Sequence, residues 1–256
     1  MAGLIHDVSH SAFSHCVDYI LDEGSEKEHN HQDNIFRDFV NKTEIPSIFD
    51  KYNIDTNYIL NEHNFPLLER SLPDLCADRL DYSLRQALTE KEKSQNEINS
   101  FLENLVVEND YWVFKNFEIA YEYTRLFFKL NTDYFASFNA AKMFRTVGDL
   151  MKYALEKEYI NKDDLYTTDQ QVLNKIKKNI NKDPELKLLF DRMDGKIKIT
   201  NNPDNCDAQV FCKSRIVDPL CKYNGKIRKV SEIDTNWKKI VEKELKPKAY
   251  FIKFEK

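Results

Sequence analysis

Residues 4–18 of this chain read Leu4-Ile5-His6-Asp7-Val8-Ser9-His10-Ser11-Ala12-Phe13-Ser14-His15-Cys16-Val17-Asp18. Five of the six histidines in the 256-residue sequence lie between positions 6 and 31. Imidazole nitrogen and carboxylate oxygen suit iron, manganese, zinc or nickel, and an adjacent His-Asp pair can present one of each. On a helix, His6 and His10 share a face while Asp7 is turned away by about 100°. A metal site here therefore also needs ligands from a second helix.

A second polar stretch can supply that helix. It reads Asp74-Leu75-Cys76-Ala77-Asp78-Arg79-Leu80-Asp81-Tyr82-Ser83-Leu84-Arg85. Asp78, Tyr82 and Arg85 are spaced to fall on one helical face. A carboxylate for a metal, a phenol and a guanidinium in one row form a surface that can handle phosphate. Taken alone, the stretch also fits a solvated helix flank, but together with the histidines it favours a phosphate site.

The composition excludes several other kinds of protein. The five glycines are too far apart for a Rossmann or P-loop nucleotide site. The five cysteines contain no C-x-x-C pair, which favours free thiols over disulfides or a zinc knuckle. The sequence shows neither a membrane span nor a signal peptide, and a net charge of −5 gives no general attraction for nucleic acid. We therefore expect a cytoplasmic protein, or a nuclear one in a eukaryote.

Hydrophobic periodicity predicts a mainly α fold, with a helical body and a small C-terminal antiparallel β-sheet, an α+β region. The expected helices lie near residues 11–23, 29–41, 44–52, 55–62, 72–104, 116–131, 133–158, 168–179 and 234–245. The expected strands are a hairpin over 106–114 and segments at 196–200, 208–217, 226–230 and 248–254. Because the composition changes near residue 195, we predict a helical body over 1–195 and a small α+β region over 196–256.

The two polar stretches resemble the motifs of the HD-domain metal-dependent phosphohydrolases, in the branch that includes the deoxynucleoside triphosphate triphosphohydrolases. The resemblance rests on residues 4–15, on Ala77-Asp-Arg-Leu-Asp-Tyr82, and on Lys213-Ser-Arg-Ile-Val-Asp-Pro-Leu220 with the following Ser231-Glu232. It spans nearly the whole chain. It implies an HD-type helical body and a nucleotide substrate, with hydrolysis of a deoxynucleoside triphosphate at the α-phosphate and release of triphosphate.

The resemblance also implies roles for individual residues. A divalent metal ion (Fe, Mn, Zn, Ni or Mg) is the expected cofactor, and its ligands are His6, Asp7 and Asp78. The residues expected beside the α-phosphate are His10, His15 and Asp18. The general acid to the leaving oxygen is His29. The residues expected to contact phosphate are Arg79, Tyr82 and Arg85.

The sequence also departs from the family pattern. The family has a further metal-ligating histidine on a helix well upstream of the HD pair, whereas this sequence starts five residues before His6. We therefore expect a second copy or a partner chain to cover the apolar surface that the upstream helices would bury. Ser9 and Ser11 replace glycines, and Asn30 and Gln86 replace acids. These changes bear on the substrate more than on the fold.

Two other functions stay open at this point. A degenerate or truncated HD protein would bind nucleotide or a partner without catalysis. A nucleic-acid-binding module would use the basic C-terminal region and its aromatic residues, which are Tyr223, Trp237, Tyr250, Phe251 and Phe254. Packing inside a small sheet explains those aromatic residues as well.

Overall fold

The computed structural model describes residues 1–21, 24–25 and 27–255. Its N-terminal part consists of short helices: α1 (Ala2–Ile5), a 3-10 helix (Ser14–Tyr19), α2 (His31–Asn41), α3 (Ile45–Lys51), α4 (Thr56–Ile59) and a 3-10 turn (Glu62–Asn64). The predicted helix over 11–23 is wrong, because Phe13 and Ser14 adopt positive φ values of 58° and 48° and only a short 3-10 helix follows. Its last two residues, Asp22 and Glu23, lie outside the described residues.

The helix that carries Asp78 is shorter than predicted. Instead of one helix over 72–104, the structure has α5 (Ala77–Thr89) and α6 (Gln95–Glu103). Lys91 adopts a left-handed φ of 59° between them. Ser94 and Glu97 form a capping box that starts α6, a signal that the Ser-x-x-Glu spacing carries in the sequence. Asp78 therefore lies in the first turn of α5.

The other helices surround these elements. They are α7 (Phe117–Leu130), a π-turn (Asn131–Phe135), α8 (Phe138–Glu156), a 3-10 helix (Lys162–Tyr166), α9 (Asp169–Lys177), α10 (Pro184–Met193), α11 (Val230–Ile233) and α12 (Thr235–Glu244). Helix α8 packs against the 3-10 helix Ser14–Tyr19, and Gly148 permits this approach, since a Cβ there would lie 3.2 Å from the Cβ of Tyr19. Among the helices of the described residues, none has the length and apolar character that a membrane crossing requires.

Within the described residues, seven strands form two small sheets. They are β1 (Leu105–Glu108), β2 (Tyr111–Phe114), β3 (Ile199–Asn201), β4 (Ala208–Cys212), β5 (Leu220–Tyr223), β6 (Lys226–Lys229) and β7 (Lys248–Phe254). One sheet has the order β1-β2-β5-β6 and the other β3-β7-β4. The predicted mainly helical α+β fold is confirmed. One pairing, β2 with β5, is parallel, because a C-terminal strand joins the hairpin of the helical part. The division into regions at residue 195 stays a prediction.

Two apolar cores meet beside the histidine-rich segment. Cys16 of the 3-10 helix belongs to the core around α8, whereas Leu80 of α5 belongs to the core around α7. The segment that follows β4 connects the two, since Cys212 lies in the first core and Ile216 in the second. Polar residues that neighbour these anchors in sequence are thereby held at the junction of the cores.

A buried polar network fixes the segment after β4. Asn131, fully buried where α7 meets the π-turn, donates from Nδ2 to Ser214 Oγ at 3.0 Å and to Glu244 Oε2 at 3.3 Å. Its Oδ1 accepts the backbone N–H of Arg215 at 2.8 Å. The Ser214 hydroxyl also donates to Glu244, and Lys248 pairs with the same carboxylate at 3.0 Å. Each of these buried groups has a partner, which is the condition under which such a network stabilises a fold.

Replacing Asn131 with alanine is expected to lower the free energy of unfolding by at least ~2 kcal/mol, because several buried groups lose a hydrogen-bond partner. Chemical denaturation followed by circular dichroism measures this change. Asn99→Ala removes an exposed amide from α6 and serves as the control, with an expected change within about 0.5 kcal/mol. Equal stability of the two variants would contradict the structural role of the network.

Candidate functional site

His6, Asp7 and Asp78 lie together, between the small apolar cluster that buries Ile5 and the core that buries Leu80. Each offers one ligand atom, and the three atoms lie within 4.8 Å of one another. His6 Nε2 is 3.2 Å from Asp7 Oδ2 and 3.4 Å from Asp78 Oδ1. His6 and Asp78 are partly buried, and Asp7 is exposed. The structure thus brings together the three residues that were expected to ligate a metal.

This arrangement arises because α1 ends at Ile5. The Ile5 side chain is buried in a small apolar cluster, and the next four residues form turns. The expected helical face shared by His6 and His10 is therefore wrong. The turn instead brings Asp7 beside both histidines, with its Oδ1 atom 3.4 Å from His10 Nε2.

The donor set of this cluster fits a divalent cation. It comprises one imidazole nitrogen and two carboxylates, which suits several divalent metals. His6 Nδ1 lies 2.9 Å from the carbonyl oxygen of Gly3 and donates to it, so that neutral His6 directs the lone pair of Nε2 into the cluster. The hydrogen bond to Asp78 raises the pKa of His6 to about 9 in spite of partial burial. A cation that binds at neutral pH must therefore displace a proton from His6.

Manganese binding at pH 7 is expected to release about one proton per ion, because His6 is protonated below its raised pKa and must be neutral to ligate. Calorimetric titration in two buffers of different ionisation enthalpy measures the release. It should fade above pH 9, where His6 is already neutral.

His6→Asn should weaken binding and abolish the release of a proton. His63→Gln, which alters an exposed histidine, should preserve both. Tight binding at pH 7 with no proton release would contradict the assignment of His6 as a ligand.

His15 and Asp18 form a second pair beside the cluster. Asp18 is buried, and its carboxylate accepts the backbone N–H of His31 at 2.9 Å and lies 3.4 Å from His15 Nδ1. Burial alone would raise the pKa of Asp18, but the hydrogen bonds from His15 and His31 lower it. Burial also lowers the pKa of His15. Neutral His15 therefore donates from Nδ1 to Asp18 and carries its lone pair on Nε2.

His29 is enclosed more completely than its expected role implies. It is 1% exposed, and burial lowers its pKa to about 3. Its ring stacks on His15 with centroids 5.0 Å apart, and its Nε2 lies 3.1 Å from the hydroxyl of Tyr19. Tyr19 donates its hydroxyl hydrogen to the carbonyl oxygen of Phe211, so His29 Nε2 must donate to Tyr19. The general-acid role of His29 stays a prediction, and it requires this bond to break.

The other predicted residues of α5 have different surroundings. Tyr82 packs against the rings of Phe127 and Phe135, and burial raises its pKa. Arg79 is buried and pairs with Glu69 at 3.1 Å. Arg85 is exposed and pairs with its neighbour Asp81. Among the described residues, neither arginine forms an ion pair with the cluster of His6, Asp7 and Asp78. Their contacts to phosphate stay predictions.

Sequence reasoning missed two cations at the site. Arg215 lies with a terminal guanidinium nitrogen 3.4 Å from His15 Nε2, and Lys213 is close enough for the charge of Arg215 to lower its pKa, together with burial. A signal was present in the sequence, because Lys213 and Arg215 occupy alternate positions of the strand expected over 208–217. In the structure the flanking Cys212, Ser214 and Ile216 are buried. Such alternation places both cations on one side of an extended segment.

Comparison with known proteins finds relatives along nearly the whole chain, although no family model matches the sequence. The chain is 31% identical over 243 residues to the uncharacterized protein YdhJ of Bacillus subtilis, with 94% of the chain and 73% of YdhJ covered. It is 39% identical over 89 residues to the metal-dependent phosphohydrolase cns2 of Cordyceps militaris. That second match covers 35% of the chain and 25% of cns2.

Two crystal structures share the fold. A phosphohydrolase from Bacteroides thetaiotaomicron has a TM-score of 0.66 at 14% identity, covering 99% of this chain and 78% of that one. A hypothetical protein from Aquifex aeolicus has a TM-score of 0.62 at 16% identity, covering 99% of this chain and 75% of that one. The expected phosphohydrolase-type fold is thereby confirmed.

Proposed function

Because the chain belongs to the family of the Bacillus subtilis protein YdhJ and has a phosphohydrolase-type fold, we propose that it is a metal-dependent phosphohydrolase. The observation that carries the proposal is the convergence of His6, Asp7 and Asp78 within 4.8 Å. The partial relative cns2 supports it, since that protein is described as a metal-dependent phosphohydrolase.

In this proposal His6, Asp7 and Asp78 hold a divalent cation, which supplies Lewis-acid polarisation of a phosphoryl oxygen. His6 is oriented for this task by its bond to Gly3. His10 lies between the cluster and His15. Its Nε2 is 3.4 Å from Asp7 Oδ1, and its Nδ1 is 2.9 Å from Ser14 Oγ. The row of side chains thus continues from the metal ligands to the second pair.

His15 and Asp18 are suited to move a proton. Neutral His15 has an unprotonated Nε2 that can accept a proton from an attacking water once the guanidinium of Arg215, 3.4 Å away, no longer occupies this atom. Asp18 fixes the tautomer of His15 through Nδ1 and stabilises the imidazolium that forms. Because Asp18 is buried and its pKa is lowered, its carboxylate stays ionised at neutral pH and serves this purpose throughout the reaction.

Within the phosphohydrolase class we propose a nucleotide substrate, namely a deoxynucleoside triphosphate cut at the α-phosphate. The support is the likeness of residues 4–15 and 77–82 to the triphosphohydrolase motifs. Tyr82, Arg79 and Arg85 are proposed to contact phosphate, and His29 to protonate the leaving oxygen. Because burial lowers the pKa of His29 to about 3, this role requires that His29 gain a proton and be released from Tyr19. For Arg85 the proposed contact requires release from Asp81.

Hydrolysis of bis(4-nitrophenyl) phosphate and of a panel of nucleoside mono-, di- and triphosphates tests the function. We expect activity with at least one substrate in Mn²⁺, Fe²⁺, Ni²⁺, Zn²⁺ or Mg²⁺, and its loss on chelation. Release of triphosphate, separated by ion-exchange chromatography, distinguishes cleavage at the α-phosphate. Asp78→Asn should lower kcat/KM by ~100-fold or more, since even partners that only orient metal ligands account for about 10–100-fold.

Asp50→Asn is the matched control, because it makes the same chemical change at an exposed carboxylate of α3. The activity of this variant with bis(4-nitrophenyl) phosphate should stay within about twofold of that of the original protein. Absence of metal-dependent hydrolysis across the whole panel, or equal activity of the two variants, would contradict the proposed function.

A binding protein without catalysis is the second candidate. It is favoured by the hydrogen bond between His29 and Tyr19, because His29 already donates to Tyr19 the proton that the expected general acid would give to the leaving oxygen. Nucleotide binding in the absence of any hydrolysis would support it. The expected second copy or partner chain over the N-terminal surface stays a prediction.

A further inference from the structure

Lys213 and Arg215 form no ion pair in the part of the chain that the structure describes, although Asp33 and Glu28 lie near enough to raise the pKa of Lys213 in part. Both side chains are partly buried, yet among the described residues neither has a carboxylate oxygen within 4.0 Å. Arg79, by contrast, pairs with Glu69 at 3.1 Å. Burial and the neighbouring charge of Arg215 lower the pKa of Lys213. Two cations held together without a directly paired carboxylate are unfavourable, and a bound anion would offset that cost.

The two cations are held in place by a rigid support. Between them, Ser214 is buried and bonded to Asn131 and Glu244. The backbone N–H of Arg215 is also bound by Asn131. The segment is therefore fixed before any ligand arrives, which reduces the entropy cost of binding.

A continuous row of side chains connects these cations to the proposed metal cluster. Arg215 lies 3.4 Å from His15 Nε2, the rings of His15 and His10 are 5.4 Å apart, and His10 Nε2 lies 3.4 Å from Asp7 Oδ1. Two imidazole rings thus separate Arg215 from the cluster. A single phosphate group is too small to contact both ends of this row.

We propose that Lys213 and Arg215 form a subsite for a second phosphate group of the substrate, one that is distinct from the phosphate at the His6–Asp7–Asp78 cluster. The site then selects compounds with two or more linked phosphates over those with one. Guanidinium and ammonium groups are the side chains best suited to phosphate oxygens. The inference rests on the proposed function and deepens it by naming residues that determine specificity.

Calorimetric binding of inorganic tripolyphosphate and of orthophosphate to the full chain tests the subsite. All titrations contain the same free Mn²⁺ concentration, so that chelation of the probe is equal for every variant. The original protein should bind tripolyphosphate more tightly than orthophosphate. Lys213→Gln and Arg215→Gln should each weaken the binding of tripolyphosphate by about tenfold or more. Their effect on the binding of orthophosphate should be much smaller.

Two further variants serve as controls. Arg215→Lys keeps the charge and should retain most of the affinity that Arg215→Gln loses. Lys238→Gln removes an exposed cation from α12 and should leave both affinities unchanged. Lys213→Gln is expected to fold, because it removes the repulsion between the two cations. It therefore tests the subsite even if Arg215→Gln fails to fold.

Three results would overturn the subsite: unchanged tripolyphosphate affinity in Lys213→Gln, an equal loss for both probes, or no preference of the original protein for tripolyphosphate. The titration measures binding and not turnover. If the original protein hydrolyses no phosphoester but the Lys213→Gln substitution still lowers its affinity for tripolyphosphate, the subsite is supported and the proposed function is overturned.

Discussion

Buried apolar side chains on both sides of the site hold its polar groups in position. Cys16 lies in one core and Leu80 in the other, so the segments that carry His15 and Asp78 are each fixed by burial. Cys212 and Ile216, each buried in one of the cores, likewise fix the segment that carries Lys213 and Arg215. Since close-packed cores tolerate little displacement, the distances within the site depend on how these two cores fit together.

The charges at this junction are arranged in order. Two carboxylates, Asp7 and Asp78, lie at one end beside His6, whereas Lys213 and Arg215 lie at the other end. The acidic end favours a cation, and the basic end favours an anion. A metal ion together with a phosphate-bearing substrate satisfies both ends at once, and this complementarity is the physical basis of the proposed function.

The chemistry of the site was more predictable than its local geometry. The donor types of these side chains suggested a metal site, the resemblance to the HD-domain phosphohydrolases implied His6, Asp7 and Asp78 as its ligands, and the structure brings the three together. The left-handed Phe13 that shortens the predicted helix depends on tertiary packing, which periodicity does not reveal. The enclosure of His29 depends on Tyr19 and Phe211, and Phe211 is 192 residues from Tyr19 along the chain. Contacts of that range leave little trace in a single sequence.

The central claim is that His6, Asp7 and Asp78 surround one cation. Anomalous diffraction from crystals grown with manganese, recorded on both sides of the manganese absorption edge, tests it most directly. The account predicts an anomalous peak within about 2.0–2.3 Å of His6 Nε2 and of one oxygen from each carboxylate. A peak elsewhere with none at this cluster, or carboxylates turned away from His6, would contradict it.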